Sequence, residues 1–568
     1  MSTSEPNKNI FCIYDSRIAT LVSPNSHELV STQTLANFLK PCSKTIHHSE
    51  PPPFHKNHYH PLPKIDFKGW KNPQTKWSDW VETLTAEHAV TWNQTGSCDA
   101  LLSSLYHFPK NPYLILALVH HWSPKTNTFV FPWGEATITL EDVMILGGFS
   151  VLGESITLPL SSDLLSVEAK LIELRRRMSK TKSKKADHNT WLKFFKEGLE
   201  KEESHEIFEL EHVGFLCLWL ARFVFPSISD SGIDPRVFHI AIHLSQGRRI
   251  ALAPSVLAGI YHNLSLLKEK LVSFSVKDLD LKVNGLFQLV QLWIFERFPI
   301  LGPACPNELK KGEPRAARWH KLNNSETDNA GFEFIMSALE SKENFRWRPY
   351  VYDLKNWCFV SHYKENEQFI VVDDGSNCGL ADELRCFGVC LCADEIFDLD
   401  CVEKYMPYRV AMQFGMDQDV PPGDFTSMSP SCKGKFSLYV PAKCYKPCVS
   451  LEYHNWWKKS IVDDYDMLDE VMIAKQYCEE GKHASIGSIE SGSKRKSSSN
   501  EENNSSIEVV EAKRLKKNEQ SFNHGLNNDD DVGKGKEQYG VGSYDNPLDV
   551  EGYACTILGA SSSHPISI

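Results

Sequence analysis

The 568-residue chain has 41% hydrophobic residues and a formal net charge of −12. That hydrophobic content is enough for a substantial core, whereas the acidic balance gives no electrostatic footprint for nucleic acid over the whole chain. The N-terminal residues MSTSEPNKNIFCIYDSR lack a basic region followed by an apolar run. The most apolar segment, Val213 to Phe225, is too short to span a bilayer and contains Arg222. We therefore expect a soluble intracellular protein.

Residues 1–60 are predicted to be weakly ordered. They end in a histidine- and proline-rich stretch, where prolines favour extended chain and few apolar residues are available for burial. A transition metal could bind the histidines there, but the prolines offer no rigid partners to orient the imidazole rings. A polar linker is the preferred interpretation for this stretch, which contains His47, His48, His55, His58 and His60.

Helices dominate the prediction from about residue 65 to about residue 300. Asn111-Pro112 is a cap and first-turn signal for a helix over Tyr113 to Trp122. Glu211 to Phe225 is apolar on nearly all sides and predicts a central helix. Gly285 to Phe298 predicts a further apolar helix, which the following proline ends.

The segment Thr128 to Gly153 predicts two strands, a turn and a capped helix. Phe129 to Phe131 and Ala136 to Leu140 are the predicted strands. Thr139 is placed to N-cap the helix, because its hydroxyl can accept from the backbone N–H of Asp142 while the Asp142 carboxylate reaches back as in a capping box. A glycine pair then ends the helix.

Short strands are predicted beyond about residue 345, at Tyr350 to Tyr352, Cys358 to Val360 and Phe369 to Val372. Residues 421–478 are predicted to form a C-terminal helical extension, with a helix over Leu451 to Tyr477. The predicted fold class is mainly α with a small antiparallel β element, an α+β fold, with disordered N-terminal and C-terminal segments.

Residues 479–568 predict a disordered tail, because the composition cannot bury enough apolar surface to offset chain entropy. Two exposed basic clusters in the tail are typical of sequences read by a nuclear import receptor and predict a nuclear location. These clusters contain Lys494, Arg495, Lys496, Lys513, Arg514, Lys516 and Lys517.

Another basic run follows the predicted helix Val167 to Leu174. Clustered positive charge favours contact with phosphates through counterion release, which makes nucleic-acid binding an alternative function. Aromatic residues are absent from the run, so base stacking is not indicated, and a solvated insertion between helices is the preferred interpretation. The run comprises Arg175, Arg176, Arg177, Lys180, Lys182, Lys184 and Lys185.

Cysteines are densest between residues 378 and 401. Their spacing lacks the C-x2-C pair typical of a zinc knuckle, so packing is predicted in preference to a metal site. Reduced thiols are expected, because the sequence shows no route to an oxidising compartment. The cluster contains Cys378, Cys386, Cys390, Cys392 and Cys401.

Catalytic signatures for a nucleophile elbow, a zinc protease, a phosphate-binding loop and a dinucleotide-binding turn do not occur in the sequence. The glycines at 147, 148 and 153 fall short of the last pattern, and they end a predicted helix instead of beginning one. We therefore predict no catalytic residue, no cofactor and no metal, and a protein that is not an enzyme.

Four separated blocks, in this order, resemble the plant mobile domain family, also called aminotransferase-like or maintenance-of-meristems-like. The blocks are Pro61 to Trp70, Thr128 to Gly153, Gln288 to Pro299 and Arg409 to Pro422. The resemblance implies a plant mobile domain over residues 61–420, in a land-plant protein related to domains carried by transposable elements.

The resemblance further implies a nuclear protein that acts through protein partners in transposon and gene silencing and in meristem maintenance. It implies a plant phosphatase of the phosphoprotein-phosphatase type as one partner. It transfers no catalytic residue: pyridoxal phosphate chemistry needs a Schiff-base lysine, an acid facing the pyridinium nitrogen and a phosphate cup, and none of these can be assigned. A cryptic pyridoxal phosphate enzyme is therefore the second alternative.

Overall fold

A computed structural model describes residues 10–23, 31–40, 48–54, 64–179, 186–199, 205–228, 232–273, 280–323, 325–352, 354–357, 362–373, 379–428 and 434–460. About 48% of these residues are helical and 17% lie in strands. The predicted mainly helical α+β class is thereby confirmed. None of the described helices is long and apolar enough to cross a membrane. The predicted tail over 479–568 lies outside the described residues.

The described helices are α1 (Thr75–Thr95), α2 (Cys98–Ser103), α3 (Pro112–His120), α4 (Leu140–Gly147), α5 (Leu165–Ser179), α6 (His188–Leu199), α7 (His205–Trp219), α8 (Phe238–Ser245), α9 (Leu252–Ser273), α10 (Phe287–Arg297), α11 (Ser325–Glu340), α12 (Gly379–Cys390) and α13 (451–460). A π-helical turn over Leu220–Val224 continues α7. Single 3₁₀ segments occupy Pro235–Val237, Pro299–Leu301, Arg315–Trp319, Lys342–Asn344, Pro349–Val351 and Pro407–Phe414.

The described strands are β1 (Phe11–Cys12), β2 (Tyr14–Val22), β3 (Ser31–Leu39), β4 (Lys64–Phe67), β5 (Trp122–Ser123), β6 (Thr128–Phe131), β7 (Gly134–Ala136), β8 (Asp280–Val283), β9 (Gln368–Val372), β10 (Asp394–Phe397), β11 (Val402–Tyr405), β12 (Phe436–Val440) and β13 (Val449–Ser450). They form small sheets in the orders β1-β12-β9, β10-β11, β13-β2-β3, β4-β8 and β5-β6-β7. Most pairs are antiparallel, but β1 runs parallel to β12 and β4 runs parallel to β8.

The helical core is rich in aromatic side chains. Trp77 of α1 stacks on Phe215 of α7 with ring centroids 4.9 Å apart, and Trp92 stacks on the same ring at 5.5 Å. Phe215 is fully buried. The predicted central helix over 211–225 therefore lies inside the core, in α7 and its π-helical turn, and its apolar faces are covered on several sides.

The predicted start of α4 is confirmed in atomic detail. The Thr139 backbone N–H donates to Asp142 Oδ2 at 2.8 Å, and the Asp142 N–H donates to Thr139 Oγ at 3.3 Å. Gly148 ends the helix at φ 74°, where a side chain would be strained. The second strand ends at Ala136, however, because Gln413 hydrogen-bonds both backbone groups of Thr137, at 2.8 and 2.9 Å. The prediction of a strand from Ala136 to Leu140 is wrong.

Residues 10–23 and 31–40 form strands, which corrects the prediction of a weakly ordered N-terminal segment at those positions. β2 and β3 pair with each other as an antiparallel hairpin over their full length. This hairpin is joined to the rest of the chain by two long-range pairings, since β1 joins β12 and β2 also joins β13, more than 400 residues along the chain. Partners so distant leave no signal in local composition. Of the described histidines in this region, His48 forms a bridge with Pro422; His47, His55, His58 and His60 lie outside the described residues.

Two predictions near the C-terminal end also need correction. Tyr350 lies in a 3₁₀ turn over Pro349–Val351, because its hydroxyl is directed at a buried carboxylate and its backbone does not join a sheet. The predicted helical extension begins with β12 and β13, and only α13 of that extension is a described helix. The predicted strand at 369–372 is confirmed as β9. The predicted strand at 358–360 and residues 461–478 lie outside the described residues.

Buried ion pairs connect the separated blocks of the sequence. The Asp142 carboxylate of α4 accepts from the Arg297 guanidinium at the end of α10 at 2.8 Å, and both side chains are fully buried. Glu135 of β7 accepts from Arg409 at 2.9 Å through both of its oxygens. The first block lies against the start of α10, immediately before the third block, where the Phe67 and Phe287 rings are 5.1 Å apart.

We expect Arg297→Met to lower the free energy of unfolding by about 3–5 kcal/mol, because the substitution leaves the Asp142 carboxylate buried without its cation. Chemical denaturation followed by tryptophan fluorescence measures the change. Lys355→Met is the matched control: it breaks the pair with Glu308, in which the two side chains are 71% and 75% exposed, and should leave the unfolding midpoint unchanged. Equal midpoints for the two variants would contradict a stabilising role of the buried pair.

Candidate functional site

A groove of about 980 Å³ lies among the described residues. Its volume lies near the upper end of the range for ligand sites. One wall is the chain from Ser49 to Pro53, and the others come from the β5–β6 hairpin, the C-terminal half of α9, and two stretches over residues 404–409 and 422–425. We call this site the proline-walled groove.

The buried Glu135–Arg409 pair holds the groove together from below. Glu135 also accepts from the Thr128 hydroxyl at 2.7 Å, so the hairpin and the 3₁₀ segment Pro407–Phe414 are joined through one carboxylate. Arg409 lines the groove and lies 3.5 Å from the Ser49 hydroxyl. The second and fourth sequence blocks are thus brought together at this site.

The proline wall is anchored at its N-terminal end. The Ser49 backbone N–H donates to the Pro421 carbonyl at 3.0 Å, and the Trp456 indole N–H donates to the Ser49 carbonyl at 2.6 Å. Pro52 is buried, and Phe54 stacks on the His121 ring with centroids 6.2 Å apart. Proline fixes φ in the extended region, so the wall is a stiff surface.

His121 ends α3 and lines the groove. Its Nδ1 lies 3.2 Å from the Val130 carbonyl, which makes Nδ1–H the donor and leaves Nε2 as an acceptor. Burial lowers the pKa of His121 to about 3, so the ring is neutral at physiological pH. Nε2 is buried and has no hydrogen-bond partner in the described part of the chain. His121 therefore has a fixed, buried acceptor atom within the groove lining.

Lysines supply the positive charge of the groove. Lys268 of α9 donates to the His120 carbonyl at 2.6 Å, and burial lowers the pKa of its ammonium to about 8. The Lys404 ammonium lies 5.4 Å from the centroid of the Phe425 ring. An ammonium, a neutral imidazole acceptor and apolar faces are suited to binding a ligand. In the described part of the chain, the hydrogen bond that orients the His121 ring is the one to the Val130 carbonyl.

A second concentration of buried polar groups lies behind α4, around Glu141. Burial, together with the adjacent Asp142 charge, raises the pKa of Glu141 to about 7. The Tyr363 hydroxyl lies 3.5 Å from the Glu141 carboxylate, and the Arg348 guanidinium lies 4.6 Å from the Tyr363 ring. Arg348 donates to the carbonyls of Ala442 and Tyr445, at 2.9 and 3.2 Å. These contacts hold the C-terminal region against the core.

A smaller cavity of about 240 Å³ lies between α9 and the turn after β10. Asp398 lines it, and burial raises the pKa of that carboxyl to about 6. Arg236, also in the lining, pairs with Asp234 at 2.8 Å and with Asp400 at 2.5 Å. The guanidinium thus has carboxylate partners from two segments of the cavity wall.

The structure places the predicted nucleic-acid residues only in part. Arg175 donates to the Ile233 carbonyl at 2.7 Å, and Arg176 pairs with Glu173 at 2.6 Å on the same helix. Arg177 is exposed. Two members of the run thus already have protein partners. Residues outside the described ranges are Lys180, Lys182, Lys184 and Lys185, and the nuclear-import candidates Lys494, Arg495, Lys496, Lys513, Arg514, Lys516 and Lys517.

The cysteine cluster is partly buried in the core. Burial raises the pKa of both the Cys386 and Cys390 thiols on α12. Cys392 is disulfide-bonded, so the expectation of reduced thiols is wrong at that position. Cys401 is half-buried, and Cys378 lies outside the described residues. Within the described ranges, no three histidine, cysteine or acidic side chains are grouped as metal ligands would be.

Sequence reasoning missed the residues that shape the groove. His121 and Lys268 lie in short polar runs that follow apolar helical segments, and no local spacing distinguishes them from surface positions. Arg409 opens the fourth block and Glu135 lies in the second. The recurrence of charged residues inside otherwise apolar blocks is the one signal that could have indicated a buried pair.

Comparison with known proteins gives a family match over most of the structured chain. The model of the family described as "Plant mobile domain" matches residues 96–458. Three Arabidopsis thaliana relatives are 24% identical over their matched regions. The protein named serine/threonine-protein phosphatase 7 long form homolog matches over 323 residues, which are 54% of this chain and 22% of the relative.

The two other relatives are named MAIN-LIKE 2 and MAINTENANCE OF MERISTEMS. MAIN-LIKE 2 matches over 316 residues, 55% of this chain and 42% of the relative. MAINTENANCE OF MERISTEMS matches over 249 residues, 43% of this chain and 49% of the relative. The matched region thus spans between about a fifth and about half of the length of these curated relatives. No solved structure matches the chain.

We expect Glu141→Gln to stabilise the protein at pH 8 and to have little effect at pH 5. A carboxyl whose pKa is raised from 4.5 to about 7 binds a proton more readily in the folded state, so stability falls as pH rises through 7. Removing the charge should give roughly 1 to 3 kcal/mol at pH 8. Urea denaturation of both proteins at the two pH values measures it. An equal difference at both pH values would argue against a protonated Glu141 in the fold.

Proposed function

The chain belongs to the plant mobile domain family, and we propose that it is a non-enzymatic nuclear protein that acts through protein partners. In this role it serves transposon and gene silencing and the maintenance of meristems. One relative is named for the maintenance of meristems, which supports the developmental part of the proposal. Another is named as a homolog of a phosphatase 7 long form, which supports a phosphatase of the phosphoprotein-phosphatase type as a partner.

The proline-walled groove is the observation that carries the partner-binding role. It combines a stiff proline wall, apolar faces and a few fixed polar groups, which is the composition of a surface that binds another molecule with defined orientation. Its sides come from segments far apart in the sequence and are tied together by the Glu135–Arg409 pair. A surface built in this way is preorganised, so less conformational entropy is lost when a partner binds.

A protein partner is preferred to nucleic acid as the main ligand. Arg175 and Arg176 have partners within the protein, and the chain as a whole has a net charge of −12. Phosphate binding needs cations that are free to replace counterions, and this requirement is weakly met by the described part of the basic run.

We expect a full-length fluorescent fusion to accumulate in plant nuclei. Replacing Lys494, Arg495 and Lys496 together with Lys513, Arg514, Lys516 and Lys517 by alanine should move it to the cytoplasm, because an import receptor reads exposed positive charge. The matched control replaces Arg175, Arg176 and Arg177 by alanine and should leave the nuclear signal unchanged. A wild-type fusion that stays outside nuclei would refute the proposed location, and a tail variant that stays nuclear would refute the assignment of the signal.

We expect the Val272→Asp variant, when purified from plant nuclei, to lose the co-purifying proteins that bind through the groove. Val272 lines the groove and is 72% exposed, so an aspartate there places a charge against an incoming apolar surface without disturbing the core. Val90→Asp is the matched control, since Val90 is 80% exposed on α1 and lies outside the groove. Quantitative mass spectrometry should show proteins, with a phosphatase among them, that are retained by Val90→Asp and lost from Val272→Asp. Identical sets for both variants would exclude the groove as the docking surface.

A further inference from the structure

We propose that the proline-walled groove receives an extended segment of a partner protein that carries an acidic side chain. This inference rests on the proposed function, because it names the chemistry of the partner for the surface assigned there.

The lysines that line the groove have no carboxylate partner in the described part of the chain. Three lysines and two glutamates line it: Lys125, Lys268, Lys404, Glu50 and Glu269. In the described ranges no carboxylate lies within ion-pair distance of any of the three lysines, whose contacts are a backbone carbonyl for Lys268 and an aromatic ring for Lys404. Arg409 differs, since Glu135 neutralises it. A concave surface with unpaired cations concentrates anionic groups, because low-dielectric walls focus the field.

Lys268 has lost hydration without gaining a counter-charge. Burial is the cause of its lowered pKa, and its hydrogen bond goes to the neutral carbonyl of His120. A carboxylate that enters the groove would restore the electrostatic stabilisation of the ammonium, and a charge-assisted hydrogen bond of this kind contributes more than a neutral one. Lys268 is therefore the residue that selects for an acid.

The second recognition group, His121, directly follows the residue to which Lys268 is hydrogen-bonded. Lys268 bonds the carbonyl of His120, and the following residue is His121, whose Nε2 is buried without a partner in the described structure. An unsatisfied buried acceptor costs free energy, which a donor from a ligand would recover. Every residue of an extended peptide except proline brings a backbone N–H. One peptide can thus present an N–H to His121 and a nearby carboxylate to Lys268.

The walls favour a peptide over nucleic acid as the source of the anion. Pro52, Val130 and Met406 give the groove apolar faces, which match the side chains of an extended peptide. Tracking a nucleic-acid backbone calls for a stripe of cations that follows successive phosphates. Glu50 and Glu269 interrupt any such stripe here.

The test is selection of a random twelve-residue peptide library displayed on phage against the full-length chain. Selected peptides are then labelled and titrated by fluorescence anisotropy against wild type and four variants. Lys268→Met removes the proposed partner of the acid, Lys404→Glu reverses the charge of an exposed wall residue, and Val272→Asp blocks the groove. Lys282→Glu, an exposed lysine on β8 outside the groove, is the matched control. Unfolding midpoints of all variants are measured to confirm that each is folded.

The expected result is a selected set enriched in aspartate or glutamate flanked by apolar residues. Affinity should fall at least about tenfold for Lys268→Met and for Lys404→Glu, as for loss of a charge-assisted hydrogen bond, and stay unchanged for Lys282→Glu. A repeated selection against Lys404→Glu should enrich lysine or arginine. If Lys268→Met does not fold, the change from acidic to basic peptides in the selection against Lys404→Glu decides the test.

The negative results distinguish a failure of this inference from a failure of the proposed docking role. Groove-dependent peptides without acidic preference, lost on Val272→Asp alone, would overturn this inference and leave the proposed docking role standing. A selection that yields no peptide sensitive to Val272→Asp would overturn the docking role as well. Binding of a labelled random single-stranded oligonucleotide to wild type, lost on Lys404→Glu in the absence of any peptide binding, would identify nucleic acid as the occupant and overturn both.

Discussion

The buried carboxylate of Asp142 is the constraint on which the rest of the structure depends. One oxygen accepts from the backbone N–H and hydroxyl of Thr139, which starts α4. The other accepts from Arg297 at 2.8 Å and from the Tyr350 hydroxyl at 2.7 Å. Both oxygens are thus saturated by donors from three separate parts of the chain. A buried charge is tolerated only when its hydrogen-bond partners are placed this well. The Asp142 carboxylate therefore fixes the start of α4, the end of α10 and the turn at Tyr350 relative to one another.

The same principle explains how the groove can be stable while its own polar groups are poorly satisfied. The Glu135–Arg409 pair is bidentate and buried, and it fixes the hairpin against the segment that forms the opposite wall. Above it, His121 Nε2 has no described partner and Lys268 has only a carbonyl. Unsatisfied groups of this kind cost stability. These groups are concentrated at a concave surface whose walls are joined by a fully hydrogen-bonded ion pair. Proteins accept such a cost in stability at sites that bind a ligand.

Local chemistry accounts for what the sequence could predict. The Thr139 capping box, the Asn111 cap of α3 and the apolar helix that became α10 are each encoded within a few neighbouring residues. The family, too, could be recognised from four short blocks. The groove could not be predicted from the sequence, because Glu135 and Arg409 are 274 residues apart in the chain and neither lies in a local pattern that identifies the other as its partner. The long-range pairings of the N-terminal strands were missed for the same reason, since β1 and one edge of β2 take partners from residues beyond 435, whereas β2 and β3 pair locally as a hairpin.

The long-range strand pairs connect the N-terminal hairpin to the proline wall of the groove. β13, which pairs with β2, leads directly into α13, and Trp456 of that helix donates to the Ser49 carbonyl at the start of the proline wall. Cys448 N–H and Tyr445 hydroxyl both donate to Asp417, and the Asn37 backbone N–H of β3 donates to the same carboxylate. The N-terminal hairpin, the fourth block and the C-terminal strand therefore meet at one buried acid. The N-terminal strands are thus connected through β13 and α13 to the anchor of the proline wall, although they lie outside the region over which the family model matches.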